Sequence, residues 1–187
     1  MKCDTNWIIR LACDADIPAL ETLIPLSARG LQTPYYSSEQ IEAALGPIFG
    51  VDRQLIDDQT FFVIELNQQL LGCGGWSKRK SLFGSDRGRA EPDPLLDPRI
   101  DPARIRAFFI HPDSSRRGLG RAILAACERA ILAAGFSRVE LVATLPGEPL
   151  YTASGYKAID RFDIPMKNGL TLPAVKMTKV LPPSLAR

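Results

Sequence analysis

Short β-branched runs alternating with amphipathic stretches predict a mixed α/β domain built on a largely antiparallel sheet. Three observations carry that prediction. Two apolar runs meet across the short connection Asn67-Gln68-Gln69, as in a hairpin. The run Ala103–His111 is apolar on both faces near its end, as a strand in the middle of a sheet is. Leu119, Ile123, Ala126, Cys127, Ala130, Ile131 and Ala134 recur at spacings of three and four, which places them on one face of a helix.

In chain order, WIIRLA (Trp7–Ala12) predicts the first strand. Asp14 or Asp16 can cap the next helix, Pro18 suits its first turn, and Gly30 can end it. Ser37 with Gln40 three residues later forms a capping box for a short helix, Glu39–Leu45. QTFFVIEL (Gln59–Leu66) and LLGCGGWSK (Leu70–Lys78) are the hairpin strands. Arg79–Pro102 is rich in Gly, Pro and charge and predicts a long irregular insertion, either functional or a plain surface loop. Strand Ala103–His111, helix Gly118–Ala134 closed by Gly135, and strand Ser137–Thr144 follow. Glu148–Ser154 is a short helix ended by Gly155, and YKAIDRFDI and LTLPAVKMTKVL close the chain as two strands.

A length of 187 residues suits one domain, 1–187, with a core of its own. Hydrophobic residues are 45% and charged residues 24%, a globular composition rather than a disordered one. Lys and Arg number 23 against 21 Asp and Glu, so the charge gives no reason to expect nucleic acid or an anionic membrane as a partner. Cys3, Cys13, Cys73 and Cys127 form no C-x-x-C pair, and the single histidine, His111, cannot complete a zinc set with them, so no metal is expected. Reduced cysteines, no long apolar leader and no stretch near the ~20 apolar residues of a membrane span point to a cytoplasmic protein.

The segment Ser115-Arg116-Arg117-Gly118-Leu119-Gly120-Arg121 stands between a strand and a helix. Helix N-termini expose unpaired N–H groups and the positive end of the helix dipole. Glycines let another group approach that backbone, and arginines add fork-shaped donors suited to phosphate. The segment therefore reads as an anion cradle suited to a pyrophosphate; an ordinary solvated helix start is the other reading. No Walker A string occurs, and Gly118-Leu119-Gly120 is followed by Ile123 where a dinucleotide fingerprint needs glycine.

The strand IRAFFIHP, the loop SSRRGLGRA, the helix to Gly135-Phe136, the strand RVELVAT and the segment LYTASGY follow one another in an order and spacing that resembles the GNAT superfamily, the Gcn5-related N-acetyltransferases. The likeness runs over residues 7–180. It implies a mixed, mostly antiparallel sheet of about seven strands flanked by helices, with central strands splayed to admit acetyl-CoA. The family's loop pattern, Gln/Arg-x-x-Gly-x-Gly/Ala, falls on Ser115, Gly118 and Gly120, with Ser115 a departure; it also fits further along, on Arg117, Gly120 and Ala122. By this resemblance the backbone of Phe109 and Ile110 would hold the pantetheine, and Arg116, Arg117, Gly118, Leu119, Gly120 and Arg121 the pyrophosphate. An N–H near Ile110 would polarise the thioester carbonyl. Tyr151, at the position of the family's general acid, would protonate the leaving thiolate; a core aromatic that only packs is its other reading.

The family often places a carboxylate base on the central strand, where this chain carries Arg104 and Arg106. A base acting through water, or an acceptor amine already largely neutral, would satisfy the chemistry. Glu148 can equally serve its own helix start. His111 before Pro112 is common turn chemistry in the family. The acceptor side would come from LQTPYYSSEQ (Leu31–Gln40) and the insertion 79–102. Tyr35 and Tyr36 either line it, or one packs under the loop and the other is solvated. The basic run WSKRKSLFGSDRGR either favours an anionic acceptor or is a solvated face. The expectation is an acetyl-CoA-dependent N-acetyltransferase acting on the amine of a small molecule or peptide, in a family where homodimers are common. A module that binds or senses coenzyme A on the same fold without turnover is the alternative.

Overall fold

A computed structural model describes residues 7–85 and 91–182. Its strands are β1 (Ile8–Leu11), β2 (Phe61–Leu66), β3 (Gln69–Ser77), β4 (Ala103–Ile110), β5 (Arg138–Thr144), β6 (Lys157–Pro165) and β7 (Thr171–Val180). Its helices are α1 (Ile17–Leu31), α2 (Ser38–Ala44), α3 (Arg53–Asp57), α4 (Leu119–Ala133) and α5 (Glu148–Ala153). The strands form one seven-stranded sheet in the order β1-β2-β3-β4-β5-β7-β6. Every neighbouring pair is antiparallel except β4 with β5.

Most predicted elements form within a residue or two of their expected ends. Ser37 and Gln40 close the capping box, with the Gln40 N–H donating to Ser37 Oγ at 3.2 Å and the Ser37 N–H to Gln40 Oε1 at 2.9 Å. Asn67 and Gln68 turn the hairpin with φ of 49° and 65°, the left-handed pair of a two-residue turn. Two expectations change. Gly30 does not end α1, which continues to Leu31. A Cβ at Gly30 would lie 2.5 Å from Pro112 Cγ, so the glycine admits the loop after β4 rather than stopping the helix. The helix α3 was not predicted, since five residues are too few to display a helical period.

Both faces of the sheet are covered. Leu20 and Ile24 of α1, Ile41 of α2 and Leu55 of α3 pack with Phe61 and Val63 on one face. Ile123, Leu124 and Ile131 of α4 pack with Ile64, Ile105 and Leu141 on the other. The apolar spacing read along α4 is therefore its buried stripe.

The sheet is irregular where β3 meets β4. Cys73 faces Phe109, yet Gly75 faces Arg106, so Gly74 alone opposes both Ala107 and Phe108. This is a β-bulge on β4, and Ala107 takes it up with φ of +56°. A Cβ at Gly74 would stand 2.6 Å from Phe108 Cδ2 and 2.9 Å from Ile123 Cγ2. A Cβ at Gly72 would stand 2.7 Å from Ile110 Cδ1. The glycines of β3 thus make room for the side chains of β4 beneath α4. Gly74→Ala is expected to destabilise the protein by about 1–3 kcal/mol through overpacking, as read from the urea midpoint at unchanged slope.

Candidate functional site

The parallel pairing of β4 with β5 is short. Ala103, Arg104 and Ile105 face Val139, Glu140 and Leu141, and the ladder stops there. Arg104 closes that end with an ion pair to Glu140 at 2.5 Å, and Lys176 reaches the same carboxylate from β7 at 3.3 Å. Beyond it, residues 106–110 and 142–144 part. A cleft of about 760 Å³ occupies the gap, lined from both strands, from the segment Ser114–Ser115–Arg116, from the start of α4 and from α5.

Arg106 holds the bulge. Its guanidinium pairs with Asp52 at 2.7 Å, both side chains almost wholly buried, and it also donates to the Gly84 carbonyl. One side chain therefore joins β4 to the residue before α3 and to the insertion. Breaking such a pair strands a buried charge, so it locks geometry even where its net contribution to stability is small.

The anion cradle expected from the sequence takes shape at α4. Arg116 and Gly118 both adopt left-handed backbone, with φ of 61° and 84°. No side chain caps the helix start. Its first N–H groups are left for solvent or a ligand. Gly118, Leu119, Gly120, Arg116 and Arg121 line the cleft; Arg117 does not. The Leu150 Cδ2 atom would stand 3.1 Å from a Cβ at Gly120, so α5 is seated against this helix start. Ser115 lines the cleft. His111 serves the turn, its Nδ1 accepting the Asp113 N–H at 3.3 Å.

Seating α5 there puts Tyr151 on the cleft wall. Its ring meets Phe108 and Tyr156 edge-on, with centroids 6.0 and 5.7 Å away. Burial pushes the phenol well above its usual pKa, so it stays protonated at neutral pH. The hydroxyl has no hydrogen-bond partner among the described residues. Phe109 and Ile110 both line the cleft. The Ile110 N–H is held by Ser27 Oγ of α1 at 3.1 Å. Sequence reasoning missed Ser27, Phe108 and the Arg106–Asp52 pair. The one local signal for the bulge was the Gly72-Cys73-Gly74-Gly75 run, since glycines inside a strand mark bulges and close approach.

Tyr35 and Tyr36 separate. Tyr35 is half-exposed and lines the cleft. Tyr36 is buried away from it, donating to the Pro173 carbonyl and accepting the Leu145 N–H, both at 2.8 Å. Burial raises its phenol to about 12. It ties the loop after α1 to β7 and to the end of β5, so the expectation that it lines an acceptor site is corrected. The start of the basic run is also partly spoken for: Arg79 makes a two-pronged pair with Asp58 at 2.6 and 2.8 Å. Residues 86–89 of that run, and Cys3, lie outside the described residues. Cys13, Cys73 and Cys127 are free thiols.

Among the described residues, no cluster of three or more His, Cys, Asp or Glu could hold a metal, and no helix is long and apolar enough to cross a membrane. A sequence profile described as Acetyltransferase (GNAT) domain matches residues 57–158. No curated protein matches the chain. The GCN5-related N-acetyltransferase of Rhodopseudomonas palustris shares the fold at 21% identity and a TM-score of 0.69, over 95% of this chain and 97% of its own. The PaiA N-acetyltransferase of Thermoplasma acidophilum, solved in complex with coenzyme A, does so at 14% identity and 0.63, over 93% and 98%. A ribosomal-protein-alanine N-acetyltransferase of Brucella melitensis does so at 16% identity and 0.61, over 93% and 99%.

The Tyr36 hydroxyl satisfies two main-chain groups, and Tyr36→Phe leaves both without it. The variant is expected to lose about 1–3 kcal/mol, seen as a lower melting temperature in calorimetric scans.

Proposed function

The chain belongs to the GNAT acetyltransferase family, and we propose that it transfers an acetyl group from acetyl-CoA to the amine of a small molecule or peptide. One observation carries this reading: β4 and β5 part beside an uncapped helix start, with a protonated phenol on the wall between them. Acetyl-CoA supplies the acetyl group as an activated thioester.

The residues present fit that molecule. The N–H groups of Gly118, Leu119 and Gly120 offer a pyrophosphate several donors, and Arg116 and Arg121 add charge at the rim. Arg117, off the cleft, contributes only longer-range attraction. The edge of β4 that turns away from β3, along Phe108–Phe109–Ile110, offers an extended arm the hydrogen bonds a neighbouring strand would make. The Ile110 N–H leaves Ser27 Oγ when a ligand carbonyl claims it, and Ser27 keeps that N–H satisfied otherwise. Tyr151 holds its proton at Oη and delivers it to the departing sulfur. Asp52 is not available as a base, because it is paired with Arg106 within the core and does not line the cleft.

A second reading is a protein that holds coenzyme A without turnover. It is favoured by the lining of the cleft, which among the described residues contains no Asp or Glu to accept a proton.

Tyr151→Phe separates the two. The variant is expected to bind acetyl-CoA within about twofold of the wild type by calorimetry and to lose turnover by roughly a hundredfold or more, the scale of a general acid. Equal turnover in both would remove Tyr151 from the chemistry.

A further inference from the structure

The cleft has a second arm, away from the start of α4. Leu31 at the end of α1, Phe49 before α3, Phe83 of the insertion and Ile164 and Leu172 of β6 and β7 wall it, with Tyr35 at its mouth. Phe83 is steadied by a ring contact with Phe162, centroids 6.3 Å apart. Among the described residues lining the whole cleft, the only charges are Arg106, Arg116 and Arg121, and none is Asp, Glu, Lys or His. Arg106 is committed to Asp52, and the other two flank the helix start. Among the described residues, the second arm therefore contains no carboxylate to balance a cation and no carboxylate or imidazole to take a proton from one. It does contain an unmatched polar atom. Gln32, just after α1, is 7% exposed and lines the cleft, and its Oε1 has no hydrogen-bond partner among the described residues. A buried acceptor without a donor calls for an explanation, and an N–H brought by a ligand is one.

We propose that the acceptor is a small primary amine of low basicity carried on an apolar group, that it enters as the free base, and that one of its N–H groups is received by Gln32. The inference rests on the acetyl-transfer reading above. Its physical basis is protonation. An α-amino group has a pKa of about 7.7–8.0, which leaves roughly a tenth of it neutral at pH 7, whereas an alkylamine near 10.4 leaves about 0.04%. Stripping water from the ammonium form in an apolar arm with no counter-charge is costly. The weakly basic amine avoids that cost and needs no base. Its nitrogen attacks the acetyl carbonyl of acetyl-CoA; the C–N bond forms and the C–S bond breaks. The thiolate takes the Tyr151 proton, and the proton shed by nitrogen returns through water to the phenolate. The products are an N-acetyl amide and coenzyme A, with nothing oxidised or reduced.

The test uses the full chain with acetyl-CoA and two sets of amines at pH 6.5–9: phenylalaninamide and leucinamide as apolar, weakly basic acceptors, cadaverine and spermidine as basic ones. At pH 7 the apolar set is expected to show a kcat/KM at least about tenfold higher. The rate with cadaverine should climb about tenfold per pH unit, while that with phenylalaninamide levels off above the pKa of its own amine. Calorimetry with coenzyme A present should detect phenylalaninamide and not cadaverine. Phe83→Ala should raise the KM for phenylalaninamide at least about threefold at an unchanged KM for acetyl-CoA, and Gln32→Glu should shift preference toward cadaverine. Preference for the basic amines with a flat pH profile would overturn the inference and leave acetyl transfer standing. Binding of acetyl-CoA with acetylation of neither set would overturn acetyl transfer itself.

Discussion

The site depends on a buried ion pair at a place where the backbone is bent. Arg106 sits immediately before Ala107, and Ala107 carries a left-handed conformation that costs a non-glycine residue roughly 1 kcal/mol or more. The bend persists because Arg106 is fastened to Asp52 and to the Gly84 carbonyl, and because Gly74 has no side chain to resist Phe108. From that point β4 no longer follows β5. The cleft, its two lips and the orientation of Phe108 against Tyr151 all follow from where the ladder stops.

Each neighbouring element is placed by the same break. The loop after β4 must return toward α4, and Gly30 lets Pro112 press into α1 as it does so. Gly118 turns the chain so that α4 begins without a cap, and Gly120 lets Leu150 close over it, bringing α5 and Tyr151 to the cleft. On the other side, Tyr36 locks the loop after α1 to β5 and β7, which leaves Tyr35, Gln32 and Leu31 as that wall. The end of the cleft at α4 is thus rich in backbone donors and positive charge, and the other end is apolar. That contrast, rather than any single residue, supports the proposal of two different ligands.

How much of this was legible in the sequence follows from the range of the forces involved. Local signals read well: the Ser37–Gln40 box, the apolar stripe of α4 and the glycine-arginine run before it each depend on residues a few positions apart. The resemblance carried by the segments from Ile105 to Tyr156 pointed to the two strands between which the cleft lies, because the family spaces that core closely along the chain. Pairings across long separations did not read. Arg106 looked like a cation on a strand that ought to carry a carboxylate, and only the fold shows Asp52, more than fifty positions away, beside it. Tyr36 and Tyr35 are adjacent and chemically identical, and nothing local says which of them meets the Pro173 carbonyl. Gly30 has two uses, ending a helix or admitting a neighbour, and the neighbour was Pro112.

The central claim is that acetyl-CoA enters where β4 and β5 part. Amide hydrogen exchange, resolved by residue with and without acetyl-CoA, addresses it most directly. Slower exchange is predicted at Phe108, Ile110 and Leu119–Gly120–Arg121, with β1 and β2 unchanged, because those are the main-chain groups at the gap and at the open helix start. Protection that leaves β4 untouched, or that appears only along β6 and β7, would contradict the account.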